Sequence, residues 1–386
     1  MTLRKLLCLS LLISFACLAA AQIPCGPTVT PPASLIVNWP QFRFSPTHTG
    51  CNPYESMLSR TSVANLVVDW QYGTNSGFGS PAVVNGVVYL GSGNNNVYAF
   101  NARTGALIWK YATGGAVSAA PAVANGVVYI GSFDKNLYAL NATTGELLWN
   151  YATGGAVESS ATVTNGMVYF GSDDANVYAL NAGTGTLQWM YPTGGSVVSS
   201  PAVANGTVYI GSYDANMYAL NAASGALVWK YTTGFFIYGS PAVANGMVYF
   251  GSDDFYVYAL NANTGALVWQ YQTQYNEVES SPAVADGVVY IGGFDEYVYA
   301  LNATTGALLW KHGTGFIILS SPAVANGVVY IGSDDDNLYA LNSATGEVLW
   351  SYFTAGYPDS SPVVANGMVY SGTDAGHLYA FHLPGH

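Results

Sequence analysis

The stretch Ser321-Pro-Ala-Val-Ala-Asn-Gly-Val-Val-Tyr-Ile-Gly-Ser333 recurs along this chain, with a nearly identical copy at residues 120–132. It consists of two short runs of β-forming residues on either side of an Asn-Gly pair. Asn-Gly is the two-residue turn that best matches the twist of two antiparallel strands. The stretch therefore predicts a β-hairpin, and its recurrence predicts a protein built by stacking copies of that hairpin.

The repeat has a period of about 40 residues and occurs eight times. Its tryptophans lie at positions 70, 109, 149, 189, 229, 269, 310 and 350. Its prolines lie at positions 81, 121, 201, 241, 282, 322 and 362, and Ala161 takes the place of proline once. Units of this length with several short strands are typical of β-propellers.

Residues 120–151 illustrate one unit, which we predict to form antiparallel strands at 121–124, 127–131, 137–140 and 147–151. The first strand has small side chains, whereas the third and fourth carry tyrosine and tryptophan. Sheets that radiate from an axis are crowded at the centre and spread apart outside, so this gradient of size favours a propeller. The proline of the first strand is expected at an unpaired edge that faces an axial channel.

The two ends of the repeat array complement each other. The chain enters on an isolated fourth strand at residues 66–72 and ends with a first, second and third strand within residues 361–381. Pairing of these ends completes a blade and leaves no open edge. We therefore predict an all-β, eight-bladed β-propeller of four-stranded antiparallel blades, closed by its N-terminal strand.

Composition agrees with a folded chain and excludes one class of partner. The 386 residues are 51% hydrophobic and 14% aromatic but only 8% charged, which argues against disorder. The formal net charge is −12, and an acidic chain with few scattered cations cannot neutralise a phosphate backbone. We expect no nucleic-acid partner, no transmembrane segment and a monomeric protein.

The first 62 residues precede the propeller, which we place at residues 63–386. Residues 1–21 combine two basic residues, an apolar run and three alanines, which predicts an export signal peptide and a periplasmic or extracellular protein. Residues 22–62 are a Pro-rich leader and an unrepeated segment, expected to lie across one end or rim of the array as a cap or, alternatively, a binding element. Cys25 and Cys51 are predicted to form a disulfide in an oxidising compartment.

The run Ala139-Leu-Asn-Ala-Thr-Thr-Gly-Glu-Leu-Leu-Trp149 occurs in seven copies, which begin at Ala99, Ala139, Ala179, Ala219, Ala259, Ala300 and Ala340. It resembles the tryptophan-docking motif of pyrroloquinoline-quinone-like (PQQ-like) β-propeller repeats, over residues 66–381. The resemblance implies the fold shared by quinoprotein alcohol dehydrogenases and the BamB-type outer-membrane assembly lipoprotein. Because that family includes enzymes and non-catalytic proteins, the resemblance does not imply an activity.

The dehydrogenases of this family hold PQQ over the ring axis with a vicinal cysteine pair, a calcium site, an aromatic floor and cationic groups. Here no two cysteines are adjacent, and of the cations only Lys135 is expected in a turn near the axial mouth. A buried tricarboxylate without cationic partners is strongly disfavoured. We therefore expect no cofactor and no catalytic residue. A dehydrogenase that uses PQQ and calcium, or a degenerate relative of one, is the alternative.

Function is expected where the repeats differ, on the face that carries the second-to-third-strand turns and the connections between blades. Three residues before each repeat proline, or Ala161, the chain has Phe78, Ser118, Glu158, Val198, Tyr238, Glu279, Leu319 and Asp359. Glu158, Glu279 and Asp359 are therefore predicted to face one funnel. They are a candidate metal site because carboxylate oxygens suit calcium. Alternatively they are hydrated charges, since their blades are not neighbours.

Aromatic residues form a second group in variable loops around blades 5 and 6. They are Phe235, Phe236, Tyr238, Phe255, Tyr256, Tyr275, Phe294 and Tyr297. Exposed aromatics gathered on one sector favour a contact surface for a protein, peptide or glycan. Buried aromatics would instead fill wider gaps between blades.

Aspartates recur in the second-to-third-strand turns, for example Asp134, and we expect them to stabilise these turns by accepting backbone hydrogen bonds. The sequence predicts an exported, non-catalytic propeller that acts as a binding or scaffolding module through its variable loop face. The alternatives are the PQQ-dependent dehydrogenase and a BamB-like scaffold for outer-membrane protein assembly.

Overall fold

The structure is a computed structural model that describes residues 38–274 and 276–385. The predicted signal peptide at residues 1–21, and with it Cys25 and Tyr275, lie outside the described residues. The disulfide between Cys25 and Cys51 therefore stays a prediction.

Eight four-stranded antiparallel blades make up the fold, which confirms the predicted all-β propeller. The inner strands are β3 (Ala82–Val84), β7 (Ala122–Ala124), β11 (Thr162–Thr164), β15 (Ala202–Ala204), β19 (Ala242–Ala244), β23 (Ala283–Ala285), β27 (Ala323–Ala325) and β31 (Val363–Ala365). The second strands are β4 (Val87–Ser92), β8 (Val127–Gly131), β12 (Met167–Ser172), β16 (Thr207–Gly211), β20 (Met247–Gly251), β24 (Val288–Gly292), β28 (Val328–Ser333) and β32 (Met368–Gly372).

The two outer positions of each blade complete the sheets. The third strands are β5 (Asn96–Asn101), β9 (Asn136–Asn141), β13 (Asn176–Asn181), β17 (Asn216–Asn221), β21 (Tyr256–Asn261), β25 (Tyr297–Asn302), β29 (Asn337–Asn342) and β33 (His377–His382). The outer strands are β2 (Val67–Gly73), β6 (Leu107–Ala112), β10 (Leu147–Ala152), β14 (Leu187–Pro192), β18 (Leu227–Thr232), β22 (Leu267–Gln272), β26 (Leu308–Gly313) and β30 (Val348–Phe353). A short strand β1 (Cys51–Asn52) and a 3-10 helix (Val63–Asn65) precede them. The described residues include no helix of the length and apolar character needed to cross a membrane.

The ring closes as the ends of the array predict. Strand β2 pairs antiparallel with β33, in the sheet order β2-β33-β32-β31. The Asn-Gly pairs form the inner hairpin turns with both residues at positive φ, as at Asn125 (51°) and Gly126 (77°). These are the dihedral signs of the turn that suits twisted hairpins.

Neighbouring blades are joined by the repeated tryptophans. The Trp109 indole N–H donates to the carbonyl of Ala142 in the next blade at 3.0 Å, and the Tyr89 hydroxyl donates to the same carbonyl at 3.1 Å. Both aromatic side chains lie in one apolar cluster with Ile130 and Leu140. Each blade thus buries its aromatic face on the next, so the ring is held together by one contact repeated around the axis.

The N-terminal segment lies inside the ring, where it occupies the axial channel, so the expected placement across an end or rim is wrong. In each of the eight inner strands the middle valine hydrogen-bonds to this segment. In six of the blades the valine amide donates to a backbone carbonyl of the segment at 2.6–2.8 Å. The donors are Val83, Val123, Val203, Val243, Val284 and Val324, and the acceptors are, in the same order, the carbonyls of residues 39, 40, 46, 47, 49 and 50. Val163 uses the Gln41 side chain, and the Val364 carbonyl accepts from Asn52. The inner strand edges are therefore paired with this segment, whereas the sequence predicted unpaired edges. The pairing satisfies backbone groups that would otherwise be buried without partners. We call residues 38–52 the axial segment.

Two polar side chains of the axial segment are buried at the hub. The Arg43 guanidinium donates to the Pro322 carbonyl, and burial lowers the pKa of Arg43 to about 9. His48 Nε2 lies 2.9 Å from the Thr162 hydroxyl. Burial and then the Arg43 charge lower the pKa of His48 to about 3, against a raising contribution from the Pro241 carbonyl. His48 is therefore neutral at physiological pH, and the hub is filled by protein.

Candidate functional site

A funnel opens at the axis on the variable loop face. All eight predicted entry positions line this one cavity of about 520 Å³. Phe42 of the axial segment also lines the cavity. The shape follows from the ring, since each connection between blades reaches its inner strand at the axis.

Hydrogen bonds between serines hold the funnel wall in place. In seven of the eight steps around the ring, the serine before the repeat proline or alanine accepts the backbone N–H of the equivalent residue in the preceding blade, at 2.8–3.1 Å. The Ser200 amide, for example, donates to Ser240 Oγ at 2.8 Å. Residues just before these serines are thereby positioned by the ring itself rather than by a mobile loop.

The three predicted carboxylates all line the funnel. Burial, followed by the charge and hydrogen bond of Asp173, raises the pKa of Glu158. Burial, followed by the hydrogen bond and charge of Asp334, raises the pKa of Asp359. Each of these two positions is therefore a pair of carboxyl groups that a proton or a cation stabilises.

Glu279 forms the third acidic position of the funnel. Burial, followed by the charges of Asp253 and Glu277, raises the pKa of Glu279 to about 7. Asp253 itself has its pKa raised to about 6 by burial and then by Glu277 and Asp254. The charge of a turn in the neighbouring blade thus acts on Glu279, an interaction that sequence reasoning did not anticipate.

The three carboxylates share the funnel but not one coordination sphere. In the described part of the chain, no three acidic, histidine or cysteine side chains are grouped so that they could hold a metal ion. The positions lie on blades 3, 6 and 8, which explains their separation.

An aromatic stack stands beside the funnel on the connection between blades 4 and 5. The rings of Tyr213 and Phe236 stack at 5.2 Å with an interplanar angle of 12°, and Phe235 lies 4.4 Å from Phe236. Tyr238 lies 6.0 Å from Tyr213. Phe235 is 50% exposed, and Phe236 and Tyr238 are each 38% exposed. We call Tyr213, Phe235, Phe236 and Tyr238 the aromatic stack.

The remaining predicted aromatics do not join this stack. Phe255 and Phe294 are half-buried in turns of blades 5 and 6. Tyr256 packs against the core between blades 4 and 5, and Tyr297 against the core between blades 5 and 6. These two side chains fill gaps between blades, as the alternative interpretation expected.

Sequence reasoning missed Tyr213. It occupies the second-to-third-strand turn of blade 4, where blades 2 and 3 have Phe133 and Asp173. A comparison of this one turn position across the repeats would have identified it as variable and aromatic.

The turn aspartates have the structural role that we expected. Asp134 accepts hydrogen bonds from the Gly114 amide at 2.6 Å, the Tyr138 hydroxyl at 2.7 Å and the Asn136 amide at 3.0 Å. Burial alone would raise the pKa of Asp134, but these hydrogen bonds outweigh it and hold the pKa below its usual value. The aspartate is therefore a fully engaged turn residue.

Two sequence families match parts of the chain. The family described as the β-propeller of the beta-alanine-activating enzyme matches residues 79–274. The family described as outer membrane protein assembly factor BamB matches residues 294–383. No curated protein matches the chain.

Several solved structures have a similar fold. BamB from Moraxella catarrhalis has 20% sequence identity and a TM-score of 0.71, over 82% of this chain and 99% of that chain. The quinohemoprotein alcohol dehydrogenase ADHIIG from Pseudomonas putida HK5 has 19% identity and a TM-score of 0.79, over 95% and 83%. The computationally designed protein Ika8 has 19% identity and a TM-score of 0.73, over 80% and 97%. At such identities the likeness concerns the fold alone.

Proposed function

The chain belongs to the PQQ-like β-propeller family, and we propose that it is an exported, non-catalytic binding module that captures a protein or peptide on its variable loop face. The partial match to an outer membrane protein assembly factor is in keeping with a polypeptide partner.

The exposed aromatic stack carries this proposal. Large aromatic side chains are buried in the repeated blade contacts, as at Tyr89 and Trp109, whereas Phe235 and Phe236 are exposed side by side. Aromatic side chains bury much apolar area on contact and are enriched at the centres of protein interfaces. The stack also stands at the rim of a rigid funnel, which gives a partner a fixed surface to bind.

The funnel residues do not fit the quinone cofactor of the alternative proposal. A tricarboxylate at the axis would meet Glu158, Glu279 and Asp359, whose own pKa values are already raised by burial and neighbouring carboxyl groups. None of the described residues that line the funnel is lysine or arginine. Burying further negative charge there is unfavourable, because charges of like sign repel strongly in a poorly solvated site.

The test compares two double variants on the same face. Phe235→Ser with Phe236→Ser removes the exposed part of the stack, whereas Phe316→Ser with Phe353→Ser removes two phenylalanines near blade 7 that are 48% and 63% exposed and do not line the funnel. We expect the wild type and the control to capture polypeptides from the native envelope by cross-linking. The first variant should not capture these polypeptides. Both variants should melt within a few degrees of the wild type, because exposed substitutions have small effects.

Equal capture by the two double variants would contradict the proposed face, as would a wild type that captures nothing. Loss of folding in the first variant alone would show that the stack is packing material.

A further inference from the structure

The tyrosines of the aromatic stack interact electrostatically with two of the funnel carboxylates. Burial and then the charges of Glu279 and Glu158 raise the pKa of Tyr238 to about 12. Tyr213 has its pKa raised by burial and then by Tyr238, Glu279 and Glu158. Glu158, Tyr238 and Glu279 all line the funnel, and the Tyr213 ring lies 6.0 Å from the Tyr238 ring. Two phenol rings and two glutamates, contributed by blades 3 to 6, therefore lie in one sector of the funnel.

One carboxylate oxygen beside this sector of the funnel lacks a partner. Asp253 Oδ1 is buried without a hydrogen bond, and the Asp253 charge raises the pKa of Glu279. By contrast, Asp173 hydrogen-bonds to Glu158, and Asp334 hydrogen-bonds to Asp359. Buried polar atoms in proteins are nearly always satisfied, so the unpartnered Asp253 oxygen indicates a missing donor.

An organic cation fits this sector better than a metal ion does. A metal needs several oxygen ligands at one point, and no such group of three occurs among the described residues. An alkylammonium or guanidinium group instead donates hydrogen bonds to separate carboxylates while its apolar stem lies on aromatic rings. Aromatic faces attract such cations through their negative quadrupole, most strongly when the cation is desolvated.

We propose, on the basis of the function proposed above, that the funnel sector formed by Glu158, Tyr213, Tyr238 and Glu279 binds the cationic side chain of a lysine or arginine in the captured polypeptide. The axial segment occupies the channel, so the side chain enters end-on from the loop face. Phe235 and Phe236 then contact the apolar residues that flank the basic one.

The experiment measures binding of fluorescent peptides by anisotropy. The probe is acetyl-Gly-Phe-Lys-Phe-Gly amide, and its matched control has norleucine in place of lysine. We expect wild-type protein to bind the lysine peptide about tenfold more tightly than the control peptide, with the preference weakening at high salt. The variant Glu158→Gln with Glu279→Gln should lose this preference and still fold, because it removes charges that repel their neighbours.

Each other outcome overturns the inference in a distinguishable way. If both peptides bound equally well to the wild type and to the glutamine variant, the face would bind aromatic peptides but would have no cation subsite. Failure of both peptides to bind would also reject the subsite, while the capture experiment separately decides the proposed function. If n-butylamine alone bound as tightly as the lysine peptide, the ligand would be a free amine and not a polypeptide.

Discussion

Replacement of Asn52 by alanine tests whether the axial segment stabilises the ring. The Asn52 side chain is fully buried, its Nδ2 donates to the Val364 carbonyl at 2.7 Å, and its Oδ1 accepts the Tyr54 amide at 3.0 Å. Strand β1, which contains Asn52, also pairs with β27 of blade 7. Asn52 thus connects the axial segment to blade 8 through its side chain and to blade 7 through strand pairing.

The cost of Asn52→Ala follows from these two hydrogen bonds. A buried carbonyl left without a donor costs about 1–3 kcal/mol, and loss of the second bond costs about 0.5–1.5 kcal/mol. We therefore expect the free energy of unfolding to fall by about 1.5–4.5 kcal/mol. Equilibrium unfolding in guanidinium chloride, followed by tryptophan fluorescence, measures this change through the midpoint and slope.

The matched control is Asn150→Ala, which removes an exposed side chain that donates to Asn136 Oδ1 at 2.9 Å. Such a surface change should cost less than about 0.5 kcal/mol. If Asn52→Ala cost no more than this control, the axial segment would not be a stabilising part of the ring, and our reasoning would be refuted. A separate early transition would show instead that the segment detaches on its own.

Two further predictions concern stability. Gly145→Ala should destabilise the protein more than Gly126→Ala, although both glycines have φ near 75°, because a Cβ at 145 would lie 2.7 Å from the Trp109 ring and one at 126 meets nothing within 4 Å. Backbone strain alone costs about 1–2 kcal/mol, so equal denaturation midpoints for the two variants would contradict the docking geometry. The raised pKa of Glu279, about 7 in the folded state against 4.5 unfolded, means that the native state binds the proton more tightly. Its contribution to stability is thus present below about pH 4.5 and lost as pH rises through about 7. The melting temperature of Glu279→Gln should therefore fall less than that of the wild type between pH 5 and pH 8. The same pH dependence in both proteins would argue against the burial of Glu279.

The aromatic side chains show where sequence reasoning about the site succeeded and where it failed. Phe235, Phe236 and Tyr238 were predicted together because they are adjacent in the chain. Tyr213 was missed because it reaches them from another turn, and Tyr256 was included although it packs against a blade core.

The sequence by itself determined the number of blades, the hairpin turns, the closure of the ring and the eight positions that line the funnel. Each of these follows from a pattern that repeats by translation along the chain, so one correctly interpreted unit specifies all the others. Only the tertiary structure decided that the axial segment fills the channel, since that segment is unrepeated and binds chiefly through backbone carbonyls, which every residue has. The effect of the Asp253 charge on Glu279 was likewise decided in three dimensions, because the approach of side chains across blades depends on ring geometry and not on spacing in the chain.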